Sequence, residues 1–235
     1  MSQLGRLEQT RRSRAGSDDD AAREIPTDGA SARLGEYLRH LREGYGFTLR
    51  KVEEQAMALG EAIDNSQLSR FEKGKAVPSF EKLRALARIF NVSVQTFSDV
   101  LDVERFGEFK PASDDFDGLL KAGDELMGTG DHGKAFVTYE RAVEVAEAGE
   151  ASPRSAERVA EARCGMATAL RGLGKLAMTE REFREILKKR SLLSRRTQTR
   201  SLLGLSYVYR ELGDYYLASV RAREALDLAA ADGDL

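Results

Sequence analysis

After residue 30 the apolar positions of the chain fall into step with a helical period, and short polar or glycine-bearing gaps cut that pattern into segments. Leu34, Leu38, Leu41 and Tyr45 recur at spacings of three and four, with Gly44 and Gly46 closing the element. Thr48 is placed as the N-cap of a second helix that turns Leu49, Val52 and Ala56 inward. A loop with Gly60 follows. Asp64 caps a short third helix whose apolar side is Leu68 and Phe71, and Gly74 stops it. Pro78 and Ser79 open a fourth helix with Phe80, Leu83, Leu86 and Phe90 on one side, and Asn91 suits the left-handed position at its end. Ser93 caps a fifth, with Val94, Phe97 and Leu101 inward. These five short helices define a compact unit over residues 31–103. Residues 104–113, with Gly107, Pro111 and Ser113, read as a linker, and residues 114–235 read as helical throughout. Residues 1–30 show no apolar periodicity and are expected to form a disordered tail.

Composition narrows the class. A content of 41% hydrophobic and 32% charged residues, without a Trp, suits an all-α soluble protein, and no apolar run reaches the roughly 20 residues of a membrane span. The polar amino terminus carries no secretory signal, so the cytoplasm, and the nucleoid within it, is the expected location. One Cys, Cys164, cannot form an internal disulfide, and two His, His40 and His132, cannot assemble a metal site. No nucleophile stands in a catalytic setting and no glycine loop cradles a phosphate, so neither an enzyme nor a cofactor is expected. A net charge of −2 means that any contact with nucleic acid must come from a local face.

The third helix supplies such a face. It exposes Asn65, Ser66, Gln67, Ser69 and Arg70 while burying Leu68 and Phe71. Amide and guanidinium groups at that spacing suit base edges in a major groove, where Asn pairs with adenine and Arg with guanine. Asn65, Ser66, Ser69 and Arg70 are the candidate base readers; Thr48, Arg50, Lys73 and Lys75 are placed to meet phosphates. Residues 33 to 101, and most specifically the run LSRFEKGKAVPSFEKLRALARIFNVS, resemble the phage-repressor, or XRE, family of helix-turn-helix proteins. That resemblance implies a five-helix domain of the λ-repressor type that binds double-stranded DNA. It also implies a structural ion pair between Arg42, at the end of the first helix, and Glu72, after the recognition helix. The segment AMALGEAID between Gln55 and Asn65 is longer than the family's turn, which leaves open the angle between the second and third helices and is expected to bulge away from DNA or touch its backbone.

In the second half a pattern repeats. Gly123, Gly130, Ala135, Tyr139 and Ala142 share a grid with Tyr209, Gly213, Ala218 and Ala225, and GDYYLASVRAREAL echoes GDHGKAFVTYERAV. A middle copy with Gly174, Phe183 and Ile186 is degenerate. The pattern resembles the tetratricopeptide repeat, with copies over 116–149, 160–193 and 199–232, although spacings of 44 and 39 residues between Gly130, Gly174 and Gly213 exceed that family's usual length of about 34. The resemblance implies an α-solenoid of about three helix pairs whose concave side is lined by the first helix of each pair. Asp117, Asp124, Thr168, Arg171, Arg200, Leu203, Tyr207 and Arg210 project there, and Arg171, Arg200, Tyr207 and Arg210 form a candidate groove for an acidic or carboxylate-ended peptide or a protein partner. The alternative is that these cations only solvate a surface packed against another subunit. The basic run Lys188, Lys189, Arg190, Arg195 and Arg196 reads as a solvated helix end, with a second DNA contact as its alternative.

Together these readings point to a transcriptional regulator that binds a two-fold DNA site as a homodimer, with a repeat domain that dimerises, senses an effector, or does both. The alternative is a tetratricopeptide scaffold for protein interaction whose helix-turn-helix domain no longer binds DNA. The sign of regulation, the operator and the effector are not written in the residues.

Overall fold

The computed structural model describes residues 32–149 and 152–231, and the tail expected over residues 1–30 lies outside them. All regular structure among the described residues is helical. Five short helices come first: α1 (Ala32–Gly44), α2 (Leu49–Ala58), α3 (Asn65–Glu72), α4 (Phe80–Ile89) and α5 (Val94–Glu104). Six more of 13 to 20 residues follow as antiparallel pairs: α6 (Phe116–Gly128) with α7 (His132–Glu147), α8 (Pro153–Gly172) with α9 (Leu176–Lys188), and α10 (Arg195–Glu211) with α11 (Tyr215–Ala230). A 3-10 turn at Arg190–Leu192 joins the last two pairs.

Local chemistry sets the ends of the short helices. Thr48, Asp64, Ser79 and Ser93 each accept a hydrogen bond from a backbone N–H in the first turn that follows, satisfying a donor the helix cannot reach itself. Asn91 takes φ 47°, the left-handed position that ends α4. The long segment before α3 divides: its first residues extend α2 to Ala58, and the remainder is a turn pinned by Ile63, which is buried in the core. Phe80 differs from its expected inward position. It is 61% exposed, because it is the first residue of α4 and the inward stripe begins one turn later at Leu83.

The first two repeats owe their register to one aromatic residue each. Gly130, Gly174 and Gly213 turn each pair with φ between 74° and 80°. Nine residues after the first, the ring of Tyr139 lies between α6 and α8, where a Cβ on Gly123 or Gly165 would come within 2.6 Å or 2.5 Å of it. Phe183 occupies the matching place in the second pair and lies against Gly204 of α10. The middle copy looks degenerate in sequence because Thr179 replaces the small alanine seen as Ala135 and Ala218. It is fully buried, with its hydroxyl donating to the Lys175 carbonyl at 3.0 Å. The helix pairs are also longer than the alignment of glycines suggests: the second begins at Pro153, behind a Ser152–Ser155 capping box, and the third at Arg195.

The segment expected to be a linker carries apolar residues into the interior. Phe106 lies against Gly133, and Phe106 and Phe109 border a continuous apolar cluster that runs from Leu34 and Tyr37 through Phe97 and Val103 to Phe136, Leu170 and Met178. Polar contacts close the same seam. Lys175 Nζ donates to Asp99 Oδ1 at 3.1 Å and to Asp102 Oδ2 at 2.5 Å, Arg33 pairs with Glu140, and the Arg181 guanidinium lies 4.8 Å from the ring centre of Tyr37. Burial works against the charge of Lys175, but its two carboxylate partners more than offset that and raise its pKa. The five short helices and the first two helix pairs therefore share one core.

Candidate nucleic-acid interface and groove

Helix α3 is held by its apolar side and by one ion pair. Leu68 and Phe71 are buried, and Gly35 on α1 brings that helix against the Phe71 and Glu72 carbonyls, where a Cβ would come within 2.5 Å of backbone. Arg42 on α1 meets Glu72 in a two-point contact, Nε to Oε1 at 2.6 Å and Nη2 to Oε2 at 2.9 Å, and its Nη1 donates to the Phe47 carbonyl at 3.0 Å. One guanidinium thus fixes the end of α1, the approach to α2 and the end of α3. The side chains are only 15% and 8% exposed, a setting in which a fork-shaped donor matches a carboxylate closely.

The opposite side of α3 faces solvent. Asn65, Ser66 and Arg70 are exposed and Ser69 is half-buried. Lys73 and Lys75 follow on the exposed turn around Gly74, which takes φ 65°. Thr48 and Arg50 are exposed at the start of α2, where the Thr48 hydroxyl caps the helix and Arg50 stands 3.6 Å from Glu54. The structure thus brings Asn65, Ser66, Ser69 and Arg70 onto one polar strip, with the other four cationic or hydroxyl groups on neighbouring turns. Gln67 is different: it turns to the flank of the strip and accepts a hydrogen bond from Lys82 Nζ at 3.1 Å. Lys82 lies on α4, and only the distance between the two helices reveals it as part of this surface.

Residues 33–98 match the family model described as a helix-turn-helix domain. This segment is a helix-turn-helix domain. No curated protein matches the chain significantly. Two solved structures are similar over 86% of this chain at 15% identity. One is PlcR of Bacillus thuringiensis in complex with the peptide PapR7 and DNA, with 81% of that chain covered and a TM-score of 0.37. The other is the SHP pheromone receptor Rgg2 of Streptococcus dysgalactiae, with 94% covered and a TM-score of 0.33. At this identity and TM-score the likeness decides nothing about the ligands of the present chain.

Beyond the helix-turn-helix domain, the groove residues fall into two groups. Arg171 on α8 and Arg210 on α10 place their guanidinium carbons 5.0 Å and 5.2 Å from the ring centre of Tyr207, and Arg171 stands 3.7 Å from Glu211. Arg200, two turns before Tyr207 on α10, is exposed and meets no carboxylate among the described residues. Asp124 and Thr168 are already engaged: Asp124 accepts from the Tyr139 hydroxyl at 2.5 Å, and Thr168 donates to the Cys164 carbonyl at 2.7 Å. Burial, then the Asp124 carboxylate, pushes the Tyr139 hydroxyl up from its ordinary value, so it stays a donor. Cys164 is buried beside Ser201, and burial raises its thiol pKa, which leaves it unreactive. In the basic run, Lys188 and Arg190 have carboxylate partners in Glu185 and Glu224, and Arg195 donates to the Ala231 carbonyl. Among the described residues no group of His, Cys, Asp and Glu could hold a metal ion, and no helix is long and apolar enough to cross a membrane.

Proposed function

We propose that this chain is a sequence-specific DNA-binding transcriptional regulator that acts as a homodimer, with its repeats serving dimerisation and the binding of a peptide or protein effector. The observation that carries the reading is the polar strip of α3. It is exposed along Asn65, Ser66, Ser69 and Arg70 while the Arg42–Glu72 pair holds the helix behind it. Such a rod can enter a major groove with its amide and guanidinium groups toward base edges, and Thr48, Arg50, Lys73 and Lys75 can meet the phosphates on either side.

Dimerisation is supported by exposed apolar residues on and beside α11. Tyr215 and Tyr216 on α11 are 72% and 76% exposed, and Leu212 before the helix and Leu226 three turns along it are exposed as well. At the position where Tyr139 and Phe183 reach into the next pair, α11 has Ala222, which leaves that place without an aromatic wedge. An effector with a carboxylate fits the cluster of Arg171, Tyr207 and Arg210, with Arg200 two turns away on α10 as a further cation; Arg200 and Arg210 lack a carboxylate partner among the described residues.

Selection of binding sites by the purified full-length protein from a randomised duplex pool tests the reading. Enrichment of a two-fold site with half-sites about 34 Å apart, or a multiple of that, is the expected result. Absence of any enriched sequence overturns it and leaves the chain as a repeat scaffold.

A further inference from the structure

We propose that Lys82 and Gln67 form a preassembled clip for a DNA backbone phosphate on one flank of the recognition helix. The inference rests on the DNA-binding reading above and adds to it a contact made by a second helix. At 100° per residue, Gln67 lies on α3 between buried Phe71 and exposed Arg70, so it borders the polar strip and does not stand at its centre. In a helix seated in a major groove the centre of the exposed side meets base edges and the flanks meet the two sugar-phosphate walls.

The chemistry of the pair restricts what it can hold. An ammonium group only donates, so the 3.1 Å contact with Lys82 must engage the carbonyl oxygen of the Gln67 amide. That fixes which end of the amide faces outward: the NH2 group is presented and the acceptor is turned toward a cation. Pairing with adenine needs both ends of the amide, so it is disfavoured in this orientation. What remains is a set of donors around one positive charge. Lys82 is half-buried, has no carboxylate partner among the described residues and uses one of its three N–H bonds on Gln67, so its charge is not cancelled locally. A phosphate oxygen is the ligand that accepts from both groups.

The test is a salt titration of DNA affinity on the full chain, using the duplex enriched by the wild-type protein and a scrambled duplex. Lys82→Met keeps the aliphatic stem and removes the charge. It is expected to weaken both duplexes by a similar factor and to reduce the slope of log K against log salt by about 1. Lys82→Arg is expected to keep the wild-type slope. Gln67→Ala is expected to weaken both duplexes by a smaller factor and to leave the selected sequence unchanged. An unchanged slope in Lys82→Met, or a changed sequence preference in Gln67→Ala, overturns the clip while DNA binding itself stands. Failure of the wild-type chain to bind any duplex removes the regulator reading, and the clip with it.

Discussion

The strip on α3 and the candidate groove of the repeats are both polar surfaces on helical scaffolds, yet they are built over different distances along the chain. The strip on α3 comes from residues within two helical turns of each other, and its support, Arg42 with Glu72, locks a single helix against its neighbours. The candidate groove joins Arg171 on α8 to Tyr207 and Arg210 on α10, so it depends on how Phe183 seats α10 against the second pair. A short-range surface survives small shifts elsewhere in the molecule. A long-range one moves with every joint between its helices.

The largest expected effect separates these two modes of support. Glu72→Ala takes the two-point carboxylate partner from a mostly buried Arg42, leaving it the Phe47 carbonyl and Glu43, and is expected to cost about 3 kcal/mol of stability, measured by denaturant unfolding with DNA affinity followed in parallel. Phe183→Ala removes the wedge against Gly204 of α10 and is expected to cost a similar ~3 to 5 kcal/mol, while its functional effect falls on the candidate groove. If both substitutions damaged DNA affinity and effector binding equally, the distinction between local and long-range support would fail. Arg70→Ala is a smaller change: it is expected to leave stability within about 0.5 kcal/mol. On the specific site it should lose about 1 to 3 kcal/mol of binding and relax the preference at one base position, as read by competition binding.

Acid offers a finer probe of the joint between pairs two and three. Burial alone would raise the pKa of Glu157 on α8, but hydrogen bonds from the Ser194 and Thr197 hydroxyls and the Ser194 N–H outweigh it and hold the carboxyl below its ordinary value. A carboxylate depressed in the folded state stabilises above its unfolded pKa of about 4.3, and that contribution is lost as pH falls through the lower folded value. Wild-type stability should therefore decline below about pH 4 more steeply than that of Glu157→Gln, as seen in unfolding midpoints across the acid range.

The helix-turn-helix domain was legible in sequence because its signals are local: Asp64 before α3, Gly74 after it, and the alternation of Leu68 and Phe71 with polar neighbours all act within one turn. Phe80 misled because a residue at a helix start shares the spacing of the inward stripe without reaching the core. The turns of the repeats were legible at Gly130 and Gly213 for the same local reason, whereas Thr179 hid the middle copy by filling an alanine site with a residue that satisfies its own hydroxyl. The seam was not legible. Lys175 meets Asp99 and Asp102, and Arg33 meets Glu140, across separations that no periodicity encodes. Lys82 escaped for a related reason, since its partner Gln67 belongs to another helix.

That seam changes what kind of machine the molecule can be. With Phe106 wedged on Gly133 and Lys175 clamped by two aspartates, the front unit cannot swing on its connection as a weight on a string does. It rides on the stack as the jaw of a caliper rides on its beam, so a shift of the first two helix pairs carries the front unit with it.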